Sequence, residues 1–363
     1  MQEISALTLV LNEKCNFSCP YCPQHKGKNT LKIEDIKTFL DFLQPRLAKE
    51  VWLGFYGGEP LLSWPVIEKT VAHLRKSRAH EFRYTLTSNG SLLKKKHILF
   101  LKENRFELVF SYDGRAQKNR DPGSAAAVKK ALANLQKLYP NGYTINSVFT
   151  PQTVPLLTAS LEKMLWQGHS RLQYTLDMIS PWRDSDLSTL EEQLNRLAIS
   201  CRKHRQKTGK MPLENFKDPG SKGIFACFAG RDRLALLPDH TVWGCYLFYD
   251  LLGHDRQSPD YAKYCFGKLG DLAANFEPVF SDVTANYSEL RQDYFFTTKQ
   301  KLCSLCPDLE NCVVCPAVAA LATGTLAVIP GWTCELKKIG RRARARFAAA
   351  PTGRSRSRQN AHA

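Results

Sequence analysis

Cys15, Cys19 and Cys22 stand in a C-x3-C-x2-C spacing on one short stretch. Three thiolates on one loop can hold three irons of a 4Fe-4S cube and leave the fourth iron without a protein ligand, open to a reacting small molecule. The competing chemistry is a zinc loop completed by a distant donor such as His25, because structural zinc takes four protein ligands. A second set lies far downstream: Cys303-x2-Cys306-x5-Cys312-x2-Cys315, with Cys334 beyond it and Cys227 and Cys245 ahead of it. By spacing alone, two close pairs of thiolates suit zinc and an iron-sulfur cluster about equally. Seven arranged cysteines nevertheless exceed one tetrahedral zinc site. Cys201, inside a helical pattern, reads as a buried thiol.

The elements that must position these residues follow from periodicity. Strands are expected at 6–12, 51–57, 84–90, 107–114, 144–150 and 171–178. Between them Ile33, Ile36, Leu40, Leu43 and Leu47 recur at three and four residues, as do Ile67, Val71 and Leu74, and Val128, Leu132 and Leu135. Six β-α repeats with helical crossovers require a parallel, right-handed, curled sheet, so residues 1–205 are expected to form an α/β fold, a partial (β/α)6 TIM-like barrel. Function on such a fold collects at the C-terminal ends of the strands, in the loops after residues 12, 57, 90, 114, 150 and 178. Residues 206–225, rich in Lys, Gly and Pro, read as a linker, 226–340 as a small cysteine-rich domain, and 341–363 as a basic, disordered tail.

Composition excludes several classes. The 363 residues are 43% hydrophobic and 23% charged, which is ordinary for a globular protein. No apolar run approaches the roughly 18 residues of a membrane span. The N-terminus carries acidic Glu3 and no small-residue cleavage site, so a cytoplasmic protein without a signal peptide is expected. Thiols are kept reduced in that compartment, and twelve cysteines then point to metal or cluster ligation, not to a disulfide framework. The net charge of +17 would raise nucleic acid as a partner, but nine of the cations fall in residues 337–363, where there is no acid. With that stretch discounted, nucleic acid is not the expected partner.

With these motifs in view, the chain resembles the radical S-adenosylmethionine (SAM) enzymes over most of residues 6–178. The resemblance rests on the Cys15/Cys19/Cys22 loop with Tyr21 before its third cysteine, Gly57-Gly58-Glu59-Pro60 after the second strand, Ser88-Asn89-Gly90 after the third, and Ser111-Tyr112-Asp113-Gly114 after the fourth. It implies that the open iron chelates the amino and carboxylate groups of SAM and that a cluster electron breaks the sulfonium carbon-sulfur bond. The 5'-deoxyadenosyl radical so formed takes hydrogen from an unactivated carbon. It also implies that Gly57, Gly58 and Glu59 approach the SAM ammonium, that Tyr21 meets the adenine, and that Ser88, Asn89, Ser111 and Arg120 serve the rest of SAM. The residues by themselves leave plainer roles open: a tight turn at the glycines, serines bonding their own loops, a solvated cation at Arg120.

Residues 225–340 resemble the SPASM domain, an extension of radical SAM enzymes that mature peptides and proteins, which holds up to two auxiliary 4Fe-4S clusters. Carried over, the outer cluster takes Cys303, Cys306, Cys312 and Cys334. The inner one takes Cys227, Cys245 and Cys315, with an open iron or Cys265 as the fourth ligand. Two departures stand out: His240 replaces the usual Gly five positions before Cys245, and two residues instead of three separate the last pair. Relatives that act on sulfatases place an Asp, as general base, directly after the cysteine aligned with Cys245. Here that residue is Tyr246, a poor base with an ordinary pKa of about 10. Asp250 is the substitute candidate, although a surface or capping carboxylate is its default role.

The resemblance therefore implies hydrogen abstraction from a peptide or protein residue, giving a cross-link, epimer or oxidised side chain, with sulfatase maturation ranked lower. The rival from another class is a non-enzymatic zinc protein with a nucleic-acid-binding tail. The first strand begins at residue 6, so leader recognition is expected from a separate protein or from the barrel and SPASM surfaces. An electron donor such as flavodoxin or ferredoxin completes the expected partners.

Overall fold

The computed structural model describes residues 3–76, 79–217 and 223–349, except the side chains of residues 273 and 274. The first half alternates strand and helix: β1 (Ile4–Val10), α1 (Ile33–Leu43), β2 (Leu47–Tyr56), α2 (Trp64–Leu74), β3 (Glu81–Ser88) and α3 (Lys95–Glu103). It continues with β4 (Glu107–Ser111), α4 (Ala125–Leu138), β5 (Tyr143–Phe149), α5 (Leu157–Trp166), β6 (Leu172–Leu176) and the long α6 (Asp184–Thr208). All six expected strands form, each one to three residues shorter at its C-terminal end, and β1 to β6 pair in order and in parallel. Leu7, Leu9, Leu53, Phe55, Leu86, Phe110, Ile145 and Phe149 are buried on this sheet, and Ile36, Leu40, Ile67, Val71, Val128 and Leu132 close the helical layer over it.

One periodicity ends early. Leu47 was expected on the first helix but opens β2, because Pro45 in the turn Gln44–Arg46 supplies no backbone N–H and clashes with a continuing helix.

The second half comprises β7 (Arg233–Leu236), β8 (Thr241–Trp243), α7 (Tyr246–Leu252), α8 (Pro259–Tyr264), β9 (Cys265–Lys268), α9 (Leu269–Ser288), β10 (Phe296–Thr297), α10 (Pro316–Thr323), β11 (Val328–Ile329) and α11 (Gly331–Ala348). The sheet does not stop at the expected linker. β7 pairs in parallel with β1 from Ala6/Arg233 to Leu9/Leu236, and β8 and β9 follow antiparallel, giving nine strands in the order β6-β5-β4-β3-β2-β1-β7-β8-β9. His240 adopts φ of 66° in the β7–β8 turn, the left-handed conformation that suits the glycine it replaces. The linker itself is partly built into the fold: α6 runs to Thr208, and Leu213 forms a parallel bridge with Leu172 at the β6 edge.

Residues 341–348, expected to be disordered, form the last turns of α11. Leu336, Ile339, Ala343 and Phe347 recur at three and four residues and are buried, a stripe that the arginine count conceals. Phe347 stacks on Phe216 at 5.4 Å between ring centroids, and Arg342 makes two 2.9 Å bonds to Glu191 of α6. The rest of the expected tail, 350–363, lies outside the described residues. Truncation after Gly340 is therefore expected to cost about 3 to 5 kcal/mol, the scale of deleting a buried aromatic, and truncation after Ala349 close to nothing. Urea denaturation of the two products checks this; equal midpoints would refute it. None of the described helices is long and apolar enough to cross a membrane.

Candidate functional site

The loop after β1 carries Cys15, Cys19 and Cys22 at the C-terminal end of the sheet, with Cys15 and Cys19 half-buried and Cys22 exposed. Lys26 Nζ holds the loop closed by donating to the Phe17 carbonyl at 2.6 Å, and Phe17 N–H donates to Cys15 Sγ at 3.4 Å. The loop after β2 lies directly against it: Gly58 N–H bonds the Asn12 carbonyl at 2.9 Å and Glu59 N–H the Lys14 carbonyl at 2.8 Å. A Cβ on Gly58 would overlap the Lys14 carbonyl, and one on Gly57, whose φ is +143°, would meet the Asn12 carbonyl at 2.7 Å. Both glycines are thus required by the approach of the cysteine loop.

Glu59 is buried, and its carboxylate fastens the loop after β2 to the loop after β3. Oε1 accepts from Leu61 N–H at 3.0 Å and Ser88 Oγ at 2.8 Å, and Oε2 accepts from Asn89 N–H at 2.8 Å. Burial pushes its carboxyl up and these bonds pull it back. Ser88 Oγ also accepts from Gly90 N–H, and Asn89 Nδ2 donates to Asn16 Oδ1, both at 3.0 Å. Glu59, Ser88 and Asn89 therefore hold the cysteine loop to the ends of β2 and β3.

Arg120, with a solvated cation as its default role, is buried. Its Nε and Nη2 bond Asp113 Oδ2 and Oδ1 at 2.7 and 3.0 Å, and its guanidinium lies 5.5 Å from the centre of the Tyr21 ring. Tyr21 Oη donates to Asp113 Oδ2 at 3.0 Å and Val148 N–H to Oδ1 at 2.7 Å. Burial pushes the Cys19 thiol up and Arg120 draws it down, toward the thiolate a metal needs. Arg120→Gln leaves Asp113 buried and unpaired, so a loss of about 3 to 5 kcal/mol is expected in urea denaturation. A loss under 1 kcal/mol would mean that the pair is solvated.

Tyr21, Gly57, Gly58, Glu59, Ser88, Asn89, Ser111 and Arg120 all line one cleft of about 350 Å³, together with the three loop cysteines and Tyr246. Asp177 lines it too and has no counterpart in the sequence expectations. Its Oδ1 accepts from Ile179 and Ser180 N–H, whereas Oδ2 is buried without a partner. Its position near the end of the expected sixth strand, just before a loop marked for function, was the available signal.

The downstream cysteines form two groups. Cys315 lies close enough to Cys227 and Cys245 for its charge to raise the pKa of both, Cys227 likewise acts on Cys245, and burial, the larger cause, pushes Cys227 to about 11 and Cys245 to about 12. Cys245 and Cys315 precede the first residues of α7 and α10, where free backbone N–H groups favour thiolate. Cys303, Cys306, Cys312 and Cys334 line a separate cavity of about 610 Å³. Cys265 joins neither group; its thiol donates to the Val242 carbonyl at 3.8 Å and accepts from Gly267 N–H at 3.3 Å. His25 packs on His254 at 4.2 Å, facing a different cavity lined by Glu13 and Tyr249. Among the described residues, no three His, Cys, Asp or Glu side chains are set around a single metal ion. Soft thiol donors lining a cavity of several hundred Å³ fit a cluster better than one ion.

Asp250 is no surface carboxylate. One turn after Tyr246 on α7, its Oδ2 is sealed from solvent without a hydrogen-bond partner, and burial pushes the carboxyl up to about 7. Tyr246 packs on Tyr56 at 4.2 Å, and that neighbour together with burial drives its hydroxyl well above the usual range.

Comparison with known proteins now bears on this geometry. Residues 9–154 match the radical SAM superfamily. The radical SAM cyclopropyl synthase TigE of Paramaledivibacter caminithermalis is 26% identical over 174 residues, 42% of this chain and 37% of that protein. Among solved structures, anSMEcpe with bound AdoMet superposes with a TM-score of 0.73 at 17% identity, over 95% of this chain and 94% of that one. It has also been solved with a Kp18Cys peptide. Streptococcus suis SuiB bound to precursor peptide SuiA gives a TM-score of 0.56 at 14% identity, over 87% and 73% of the two chains.

Proposed function

We propose that this chain, whose residues 9–154 form a radical SAM domain, cleaves SAM reductively and takes hydrogen from a residue of a peptide or protein. The observation that carries the reading is the convergence of Cys15, Cys19, Cys22 and every residue expected at the SAM site on one cleft at the C-terminal ends of the strands. Relatives solved with peptides support the substrate class.

In this reading Cys15, Cys19 and Cys22 hold a 4Fe-4S cluster, Cys303, Cys306, Cys312 and Cys334 a second, and Cys227, Cys245 and Cys315 a third with one iron open. When bound, the first supplies the electron that breaks the carbon-sulfur bond of SAM and so yields the 5'-deoxyadenosyl radical. The chain's own groups do the rest. Asp113 fixes Arg120 and Tyr21 beside the cysteine loop, Glu59 locks the loop's approach to β2 and β3, and the buried walls keep water from a reactive species. A substrate radical that goes on to an oxidised product gives up an electron, which the downstream clusters would accept when bound, and a proton, for which Asp250 Oδ2, unpartnered one turn behind the cleft-lining Tyr246, is the candidate acceptor. Flavodoxin or ferredoxin as donor, a separate leader-binding protein and a cytoplasmic location complete the reading. Tyr246 gives no reason to prefer sulfatase maturation.

The test is anaerobic turnover of reconstituted, dithionite-reduced protein with SAM and a perdeuterated extract of the producing cell. Deuterium is expected in 5'-deoxyadenosine, and it should vanish when peptides are digested beforehand; deuterium that survives digestion would point to a small-molecule substrate. Asp250→Asn is expected to lower modified peptide about 10²-fold while 5'-deoxyadenosine still forms. Unchanged yield would remove Asp250 from the mechanism.

A further inference from the structure

A second cleft, of about 650 Å³, runs between β6 and α11 and shares Thr175, Leu176 and Met178 with the cleft over the cysteine loop, so the two adjoin. Its floor is a sheet edge. Ile145 N–H bonds the Arg171 carbonyl at 3.1 Å and Asp177 N–H the Phe149 carbonyl at 2.9 Å, so odd-numbered positions of this strand bond to β5 and even-numbered ones face outward. Leu172 N–H is taken by the Pro212 carbonyl at 2.8 Å. At Tyr174 the Asn215 side chain imitates a strand, its Oδ1 accepting the N–H at 2.8 Å and its Nδ2 donating to the carbonyl at 2.9 Å. Leu176 is the next outward position, and its N–H has no such partner among the described residues.

Two independent observations point to a ligand here. Asp177 directly follows Leu176, and its Oδ2 is buried without a donor on the wall of the inner cleft, a desolvated acceptor that a ligand N–H would satisfy. On the outer wall, Lys217 is matched by Glu214 at 2.6 Å, whereas Lys337 and Arg344 have no carboxylate partner among the described residues. Lys337 faces the thiols of Cys312 and Cys315, which leaves Arg344 as the groove's unbalanced positive charge.

We propose that the substrate is an extended, acidic peptide segment that docks as an added strand on β6. It pairs with the backbone of Leu176, sets an Asp or Glu side chain against Arg344, and donates an N–H to Asp177 Oδ2 where the groove adjoins the cleft. The proposal rests on the peptide-modifying reading above and specifies its substrate. Lys337 also stands beside Cys312 and Cys315, so Arg344 carries the test.

A phage-displayed library of random dodecapeptides is panned on the SAM-loaded holoprotein under anaerobic conditions. Selected peptides are expected to be enriched in Asp and Glu, and to bind Arg344→Glu protein at least about 10-fold more weakly in fluorescence anisotropy. Asp177→Asn is expected to weaken them about 3-fold or more. Circular dichroism and iron content must match the unaltered protein for both variants. The distinctive signature is backbone register: N-methylation of one alternate set of peptide residues abolishes binding, and of the other set leaves it intact, because only alternate N–H groups face a neighbouring strand. No acidic enrichment, indifference to Arg344→Glu, or equal tolerance of both N-methyl registers overturns the docking proposal. So does a uridine dodecanucleotide that binds through Arg344 while no peptide is enriched. If the unaltered holoprotein fails to cleave SAM, the broader reading falls; if it cleaves SAM but the peptides ignore these changes, only the docking proposal does.

Discussion

Alanine at Cys15, Cys19 and Cys22 together is expected to reduce 5'-deoxyadenosine formation to the level of SAM and dithionite without protein. Iron is expected to fall from about twelve to about eight per chain, one 4Fe-4S cluster fewer. The fold should persist, because most of the bonds that shape the loop run through Glu59, Asp113 and Lys26, and the thiols contribute only the bond from Phe17 N–H to Cys15 Sγ. Both downstream cysteine groups lie on other elements, so their iron should stay. Chromatography of the nucleoside, together with iron and sulfide analysis, decides it. Cleavage surviving in the triple variant would sink the assignment, and unaltered protein that reconstitutes to about four irons and one zinc would restore zinc for the downstream group.

Gly58→Ala tests the same site through the backbone. A Cβ there overlaps the carbonyl of Lys14, the residue before Cys15, so a thiol ligand must move with the loop. A displacement near 1 Å at a reacting centre costs about 10²-fold, and SAM cleavage should fall by that much with partial loss of the first cluster's iron. Gly270→Ala, on α9 with nothing within 4 Å of its Cβ position, is the matched control and should be neutral or slightly stabilising. If Gly58→Ala cleaves SAM at the parental rate, the glycine pair is a simple turn.

The barrel was legible because its signals are redundant. Each of the six strands is an apolar run followed by a helix whose buried residues recur at three and four, and misplacing Leu47 across Pro45 moved one boundary without changing the topology. The clustering of the candidate residues was legible for a different reason: Lys14, Glu59 and Asn89 are separated in sequence but bonded into one network at adjacent strand ends, where a parallel sheet puts loops that chemistry can use. What escaped was short or context-dependent. β7 is four residues long and has no helix to announce it, so the extension of the sheet past β1 was invisible. The stripe of Leu336, Ile339, Ala343 and Phe347 was hidden by arginines that share the helix. A lone Asp177 has no pattern at all, and only its burial and its unpartnered oxygen single it out.

The pairing of β1 with β7 also bears on how the chain is made. β1 leaves the ribosome before the other strands of this sheet, and the strand that covers its second edge is encoded more than two hundred residues later. At about 5 to 20 residues per second, the backbone of Ala6 to Leu9 waits roughly 10 to 45 s for its partner. During that interval the nascent barrel presents an open, apolar strand edge to every neighbour on the polysome. Slow translation between α6 and β7, or expression of residues 1–205 alone, prolongs that exposure and should send the product into aggregates that a chaperone able to shield a strand edge would rescue.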